Sequence, residues 1–491
     1  MALHLDTSAL GHLPKGVSAP AYDRSALTPG ILHVGVGNFH RAHMAVYLDR
    51  LFATGASHDW ALVGAGVRPG DAAMRDRLAE QDWLTTVVEL DPEGLSARVT
   101  GAMIDFVEVD AAKTIARMAE TDIRIVSLTI TEGGYYVNSR TGGFDAAHPD
   151  MVADAATPDA PKSVFGMIIK ALRLRRYVGL DPFTVLSCDN LPENGHVAKQ
   201  TVTGLARLYD PEFADWIDAS ITFPNSMVDC ITPATSDRER AMVSDKFGIV
   251  DAAPVVCEPF RQWVLEDTFP QGRPALETVG AEFVENVAPY ELMKLRILNG
   301  GHAAIAYPSA LLGHHFVHDG MADPRIRAWL IAIETREFMP SLKPIPGVSY
   351  AAYFDKILER FSNPEVGDTV QRLCLDGSNR QPKFVLPMLS EALAEDTAFQ
   401  GLALEVALWC RYCAGTDDSG QPMLVNDDNA EMLTRLALAS KETPSAFLTN
   451  EAVFGALSES DAFQSAFAAW LDHLWSDGVE ATLKVYVAQS G

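Results

Sequence analysis

The run Ile31-Leu-His-Val-Gly-Val-Gly37 is short, apolar and closed by two glycines, and an amphipathic stretch over 40–52 follows it. A strand that breaks on glycine and opens directly into a helix is how a doubly wound fold starts. The glycines let the backbone turn tightly and approach a pyrophosphate at the free N–H groups of the helix. The rhythm continues with a buried strand over 60–67, a helix over 72–80 and a third strand over 123–130. Alternation at this spacing predicts βαβ units and a parallel sheet covered on both faces. After about residue 286 the texture changes: 290–307, 324–338, 350–361, 387–394, 401–412, 429–438 and 461–474 all read as helices. The proline-rich stretch 340–346 reads as a loop. The expected fold class is therefore α/β, a Rossmann-type domain with a mainly parallel sheet over 1–287, followed by a mainly α-helical domain over 288–491.

Composition narrows the function. A 491-residue chain that is 48% hydrophobic and 21% charged is an ordinary globular chain long enough for two domains. Its net charge of −26 repels phosphate backbones and anionic lipid, so neither nucleic acid nor a membrane is an expected partner. The same charge favours a monomer. Six cysteines are too sparse for a disulfide scaffold, and the first residues lack the basic and apolar regions of a signal peptide, so a cytoplasmic protein is expected. Cys410-x-x-Cys413 lies in an apolar helical segment without a second pair and reads as structural, and His314, His315 and His318 lack a matching ligand set, so no metal is expected.

The glycine turn proposes a nucleotide site of Gly35, Gly37, Asn38, Phe39 and Arg41. The third glycine of G-x-G-x-x-G is replaced by His40, a departure from the generic pattern. After the second strand, Asp71 can accept from a ribose 2′-hydroxyl, favouring NAD, while Arg68 can pair with a 2′-phosphate, favouring NADP. Both signals are present.

The segment Glu291-Leu-Met-Lys294-Leu-Arg-Ile-Leu-Asn299-Gly-Gly-His302 is the richest in chemistry. At ~100° per residue Glu291, Lys294, Asn299 and His302 fall within one ~140° arc of a helix. The two glycines each cost ~1 kcal/mol there, which suggests close approach to the backbone. Tyr290-x-x-x-Lys294 also matches the Tyr/Lys pair of short-chain dehydrogenases, but it stands 259 residues after Gly35, at the inferred domain junction.

Five separated motifs resemble the polyol-specific long-chain dehydrogenases: Gly35-Val-Gly-Asn-Phe-His-Arg-Ala-His43, Thr129-Ile-Thr-Glu-Gly-Gly-Tyr135, Ser187-Cys-Asp-Asn-Leu-Pro-Glu-Asn-Gly195, Cys257-Glu-Pro-Phe-x-Gln-Trp263 and Lys294-x4-Asn299-x2-His302. The resemblance spans about 30 to 415. It implies metal-independent hydride transfer between a secondary alcohol and NAD, with NADP possible, and D-mannitol and D-fructose as the expected pair. It adds Thr131 and Glu132 to the cofactor residues. Lys294 is then the base, Asn190 and Asn299 donate to the developing alkoxide, His302 orients the substrate and Glu291 passes the proton to water. Asp229, Arg372 and Arg380 would bind distal hydroxyls. Two positions depart from the family pattern, Cys230 where arginine follows the aspartate and Arg380 where lysine is expected. Arabinitol or sorbitol dehydrogenases and hexuronate reductases are the alternatives within the family. A nucleotide-binding redox sensor is the alternative outside enzymes.

Overall fold

The structure, a computed structural model, describes residues 2–138 and 141–489. The chain divides into two units, Met1–Ala288 and Pro289–Gly491.

The first unit is built on five parallel strands: β1 Pro29–Val34, β2 Ala61–Ala65, β3 Met103–Phe106, β4 Ile125–Leu128 and β5 Thr184–Ser187. They run in the order β3-β2-β1-β4-β5, so the direction of winding reverses between β1 and β4. In register, Leu32 faces Val63 and Val126. The strands are apolar throughout because both faces are covered. Leu32, Val34, Val126 and Leu128 pack on one side with Phe165, Ile168 and Leu172. Ile31, Leu62 and Ile125 pack on the other with Leu48, Leu51 and Phe52. The helices have readable ends. Ser163 Oγ caps Val164–Val178 by accepting from Gly166 N, and Gly179, at φ +77°, stops it.

Beyond the parallel sheet, Thr85–Glu89 pairs antiparallel with Ser96–Thr100 and parallel with Val255–Cys257. Ser226–Asp229 pairs antiparallel with Gln262–Glu266. Strand–helix alternation did not anticipate these additions. Their strands are short, and one finds its partner far along the chain, Val255 standing opposite Val87.

The second unit is helical. Its helix Gln400–Cys413 is buried at every position from Gly401 on, including Cys410 and Cys413, so it is the centre of the unit rather than a surface element. Two stretches wind as π-helix, Lys294–Asn299 and Glu334–Phe338. The first joins the α-helices Ala288–Met293 and Gly300–Leu311 into one continuous rod.

Candidate active site

In an open α/β sheet, ligands bind beyond the carboxyl ends of the strands, where the strand order reverses. That point lies beside Gly35. Its φ is +97°, and a Cβ there would run into the Thr129 carbonyl at the end of β4, so only glycine fits. Gly37 is different: its nearest obstruction is Gly35 O at 3.8 Å from an added Cβ, leaving the backbone open to a ligand. This is the division of labour that a pyrophosphate cradle needs, and the residues present therefore fit a dinucleotide.

His40, in the place of the third glycine, packs flat on His33 of β1 with ring centroids 3.6 Å apart. A third glycine serves close helix–strand packing; here two stacked rings fill that layer. His33 bonds Ser127 Oγ at 2.8 Å and Thr129 Oγ1 at 2.9 Å, and the Thr129 hydroxyl donates to Gly35 O at 2.7 Å. Burial pushes the His33 imidazole down to about 3 and His40 well below its usual value, so both are neutral.

Arg41 has a different task from the one its charge suggests. It is buried, and its guanidinium donates to Gly37 O, Ala253 O and Asn38 Oδ1, bracing the turn from behind. Asn38 Nδ2 ties the turn to Thr235 Oγ1 at 3.0 Å, and Phe39 stacks on His43. Asp71 is not a loop residue. It lies in the first turn of Pro69–Ala79, where its Oδ2 accepts from the Val67 and Arg68 N–H groups at 2.8 and 2.9 Å. Arg68 is exposed.

Thr131 and Glu132 follow β4, with Thr131 at φ +70°, an unusual conformation for a β-branched residue. What holds it there is Asp189, a residue that sequence reasoning quoted within a motif but assigned no role. Its carboxylate accepts from Ile130 N at 2.9 Å, Thr131 N at 2.8 Å and Tyr135 OH at 2.7 Å. Asn190, next in the chain, is exposed. Asn194, buried and likewise unassigned, bridges the Asp189 carbonyl to Ser226 O and N at 3.0, 2.7 and 2.9 Å. Ser226 opens the strand that carries buried Asp229. The first unit thus brings together the turn, Thr131, Asn190 and the strand of Asp229 through buried hydrogen bonds.

In the second unit Lys294 is buried, while Glu291, Asn299 and His302 are half-buried. The π winding corrects the arc drawn from α geometry. With i→i+5 bonding, Asn299 falls one full turn after Lys294 instead of well round the helix. Gly300 and Gly301 are closely approached, by Phe338 and by the Glu334 carboxylate. His302 stacks on Phe361 at 4.2 Å, and its buried Nε2 has no hydrogen-bond partner among the described residues. Burial, and then the charges of Arg372, Arg360 and Arg380, hold that imidazole well below its usual pKa. Arg372 is paired with Asp368, its Nε 2.5 Å from Oδ1, and Arg380 donates to the Leu373 carbonyl at 2.9 Å. The second unit therefore sets one neutral histidine, two turns beyond the lysine face on the same rod, in the field of Arg372, Arg360 and Arg380. The three other histidines of interest lie apart, with His314 bound to Asp323 at 3.1 Å.

Residues 29–278 match the family model for the mannitol dehydrogenase Rossmann domain, and residues 286–475 that for the mannitol dehydrogenase C-terminal domain. The chain belongs to the mannitol dehydrogenase family. A family member from Cereibacter sphaeroides, a mannitol 2-dehydrogenase, is 56% identical over 97% of this chain and 100% of its own length. The Pseudomonas fluorescens mannitol 2-dehydrogenase, solved as a ternary complex with NAD and D-mannitol, is 42% identical over 99% of this chain and 100% of that one, with a TM-score of 0.86. A substrate-free D-sorbitol dehydrogenase is 34% identical over 98% and 100%, with a TM-score of 0.92. Membership of the mannitol dehydrogenase family bears out the expected resemblance and fold class, a Rossmann-type domain followed by a helical one. No helix among the described residues is long and apolar enough to cross a membrane.

Proposed function

We propose that the protein is an NAD-dependent mannitol 2-dehydrogenase, interconverting D-mannitol and D-fructose. End-to-end kinship at 56% identity with a mannitol 2-dehydrogenase carries this reading, supported by the open cradle at Gly37. Gly35, Gly37, Asn38 and Phe39 form the cofactor turn with Arg41 behind it, and Thr131 and Glu132 border it. The cofactor these residues would hold would supply the hydride acceptor for the alcohol carbon. Lys294 Nζ takes the hydroxyl proton, so the alcohol becomes a carbonyl with one hydride and one proton removed. Asn190 and Asn299 donate to the oxygen as its charge grows. His302, kept neutral, orients the substrate without adding a second cation beside the lysine, and Glu291 hands the proton on to water. Asp229 accepts from distal hydroxyls, and Arg372 and Arg380 donate to them, which suits a polyol that is both donor and acceptor. Because the lysine is the base, no metal takes part in the step. Asp71 helps select NAD, and exposed Arg68 leaves some NADP activity. The protein works as a monomer in the cytoplasm, where six free thiols are the resting state.

The kinship with D-sorbitol dehydrogenase supports a second reading, sorbitol as the better substrate. An assay of reduced nicotinamide with NAD and NADP against mannitol, sorbitol, arabinitol, fructose and fructuronate separates the two. Mannitol with NAD should give the highest kcat/KM, before and after prolonged chelation. A sorbitol preference establishes the second reading, and turnover with none of them overturns both.

A further inference from the structure

Two buried thiols of the first unit lie side by side. Cys230 directly follows the strand Ser226–Asp229, and Cys257 ends the strand Val255–Cys257. The chain segments are locked together next door, where Glu258 N donates to Ile231 O at 3.0 Å and Ile231 N donates to the Glu258 carboxylate at 2.6 Å. Both side chains enter one small cluster with Ala42, Val46, Val87 and Val255, and the thiols interact directly. Arg261 Nη2 donates to the Cys257 sulfur at 3.0 Å, while its Nη1 is anchored on Glu89 at 2.7 Å. The contact with Cys230, joined by the charge of Arg261, draws the Cys257 thiol below its ordinary value against the effect of burial. The same contact, with burial, holds the Cys230 thiol well above its ordinary value, so Cys257 is the thiolate of the pair; Cys188, Cys374, Cys410 and Cys413 are all pushed up by burial. The Cys410-x-x-Cys413 motif that stands out in the sequence is thus the unreactive pair.

We propose that Cys230 and Cys257 form a dithiol that hydrogen peroxide oxidises to a reversible disulfide. The Cys257 thiolate attacks one peroxide oxygen; the S–O bond forms as the O–O bond breaks, and hydroxide leaves. The Cys230 sulfur then attacks the Cys257 sulfur; the S–S bond forms, the S–O bond breaks, and the departing hydroxide takes the Cys230 proton as water. Two thiols lose two electrons, and one peroxide becomes two waters. Cys257 is fully buried and Cys230 is only 8% exposed, so bulky disulfides are excluded and the oxidant proposed is a small one. Because Cys230 adjoins Asp229, a covalent tie there restrains the residue proposed to bind polyol. That consequence rests on the function proposed above; the thiol chemistry does not.

The test is to treat the reduced full-length protein with hydrogen peroxide, quench it, unfold it and count thiols. Two of the six should be lost and recovered with dithiothreitol, and a non-reducing peptide map should join the peptides of Cys230 and Cys257. Cys230→Ser should instead accumulate a dimedone-reactive sulfenic acid at Cys257, and Cys257→Ser should keep its remaining thiols. Retention of all six thiols, or a map joining Cys410 to Cys413, overturns the proposal, and the wild-type map decides even if a variant fails to fold. Oxidised protein should also show a several-fold higher KM for polyol with the cofactor KM unmoved; a formed disulfide with unmoved KM refutes the coupling to Asp229.

Discussion

At the scale of single residues, Lys294 bears the greatest chemical load in the proposed reaction. It is buried at the start of a π turn, beside half-buried Glu291 and one turn before Asn299. A lysine that takes a proton must be neutral before alcohol oxidation and protonated before carbonyl reduction. Mannitol oxidation should therefore rise with pH and fructose reduction should fall, with apparent values that differ because each belongs to its own complex. Lys294→Ala should lower turnover ~10²–10⁴-fold, with NADH affinity by fluorescence near wild type and partial rescue by a small added amine. Near-normal turnover in Lys294→Ala, or loss in Tyr290→Phe instead, would refute the assignment and restore the short-chain reading. Lys294 and Gly35 were legible in the sequence because the roles proposed for them rest directly on a side chain, or on the lack of one. Asp189 was not, since its value lies in backbone N–H groups some 58 residues away that no local pattern reveals. Arg41 misled for the converse reason: a cation beside a phosphate loop looks like a ligand contact, yet it is spent inward on carbonyls.

At the scale of elements, helices and central strands were legible, and their winding and edges were not. A hydrophobic period near 3.6 marks 290–307 as helical, but one extra residue in a turn leaves that period almost intact, so the π segment is silent in the sequence while it moves Asn299 relative to Lys294. The buried helix Gln400–Cys413 supports a prediction of its own. Glu405 lies within it, held by Gln381 Nε2 at 2.7 Å, and burial raises its pKa to about 8. Between its unfolded value and about 8 the folded protein keeps a proton that the unfolded chain has released. The stabilisation is complete at low pH and falls away as pH rises, by about 1.4 kcal/mol per unit. Glu405→Gln has no such proton to lose. Its advantage over wild type, measured by denaturant unfolding, should grow steadily from pH 5 to pH 8. A difference that stays constant across that range would mean Glu405 is not buried as a neutral acid.

At the scale of the whole molecule, the net charge of −26 sets two opposing terms. Self-repulsion of the excess acids destabilises the folded chain and discourages self-association, and salt weakens it. Ion pairs act the other way and are also weakened by salt. Many of them are exposed, such as Lys113–Glu108, Lys356–Glu359 and Lys484–Glu480, and exposed pairs of this kind contribute little. Those with a buried arginine, Arg296–Glu391 and Arg261–Glu89, are shielded from screening. Salt therefore removes more repulsion than attraction. Raising NaCl from ~10 mM to ~0.3 M should raise Tm by a few degrees, since each kcal/mol gained is worth roughly 2–4 °C in a unit of ~200 residues. Sedimentation should report a monomer at both salts. A Tm that falls with salt would show that the surface pairs outweigh the excess charge. Dimerisation only at high salt would show that repulsion alone had kept the copies apart.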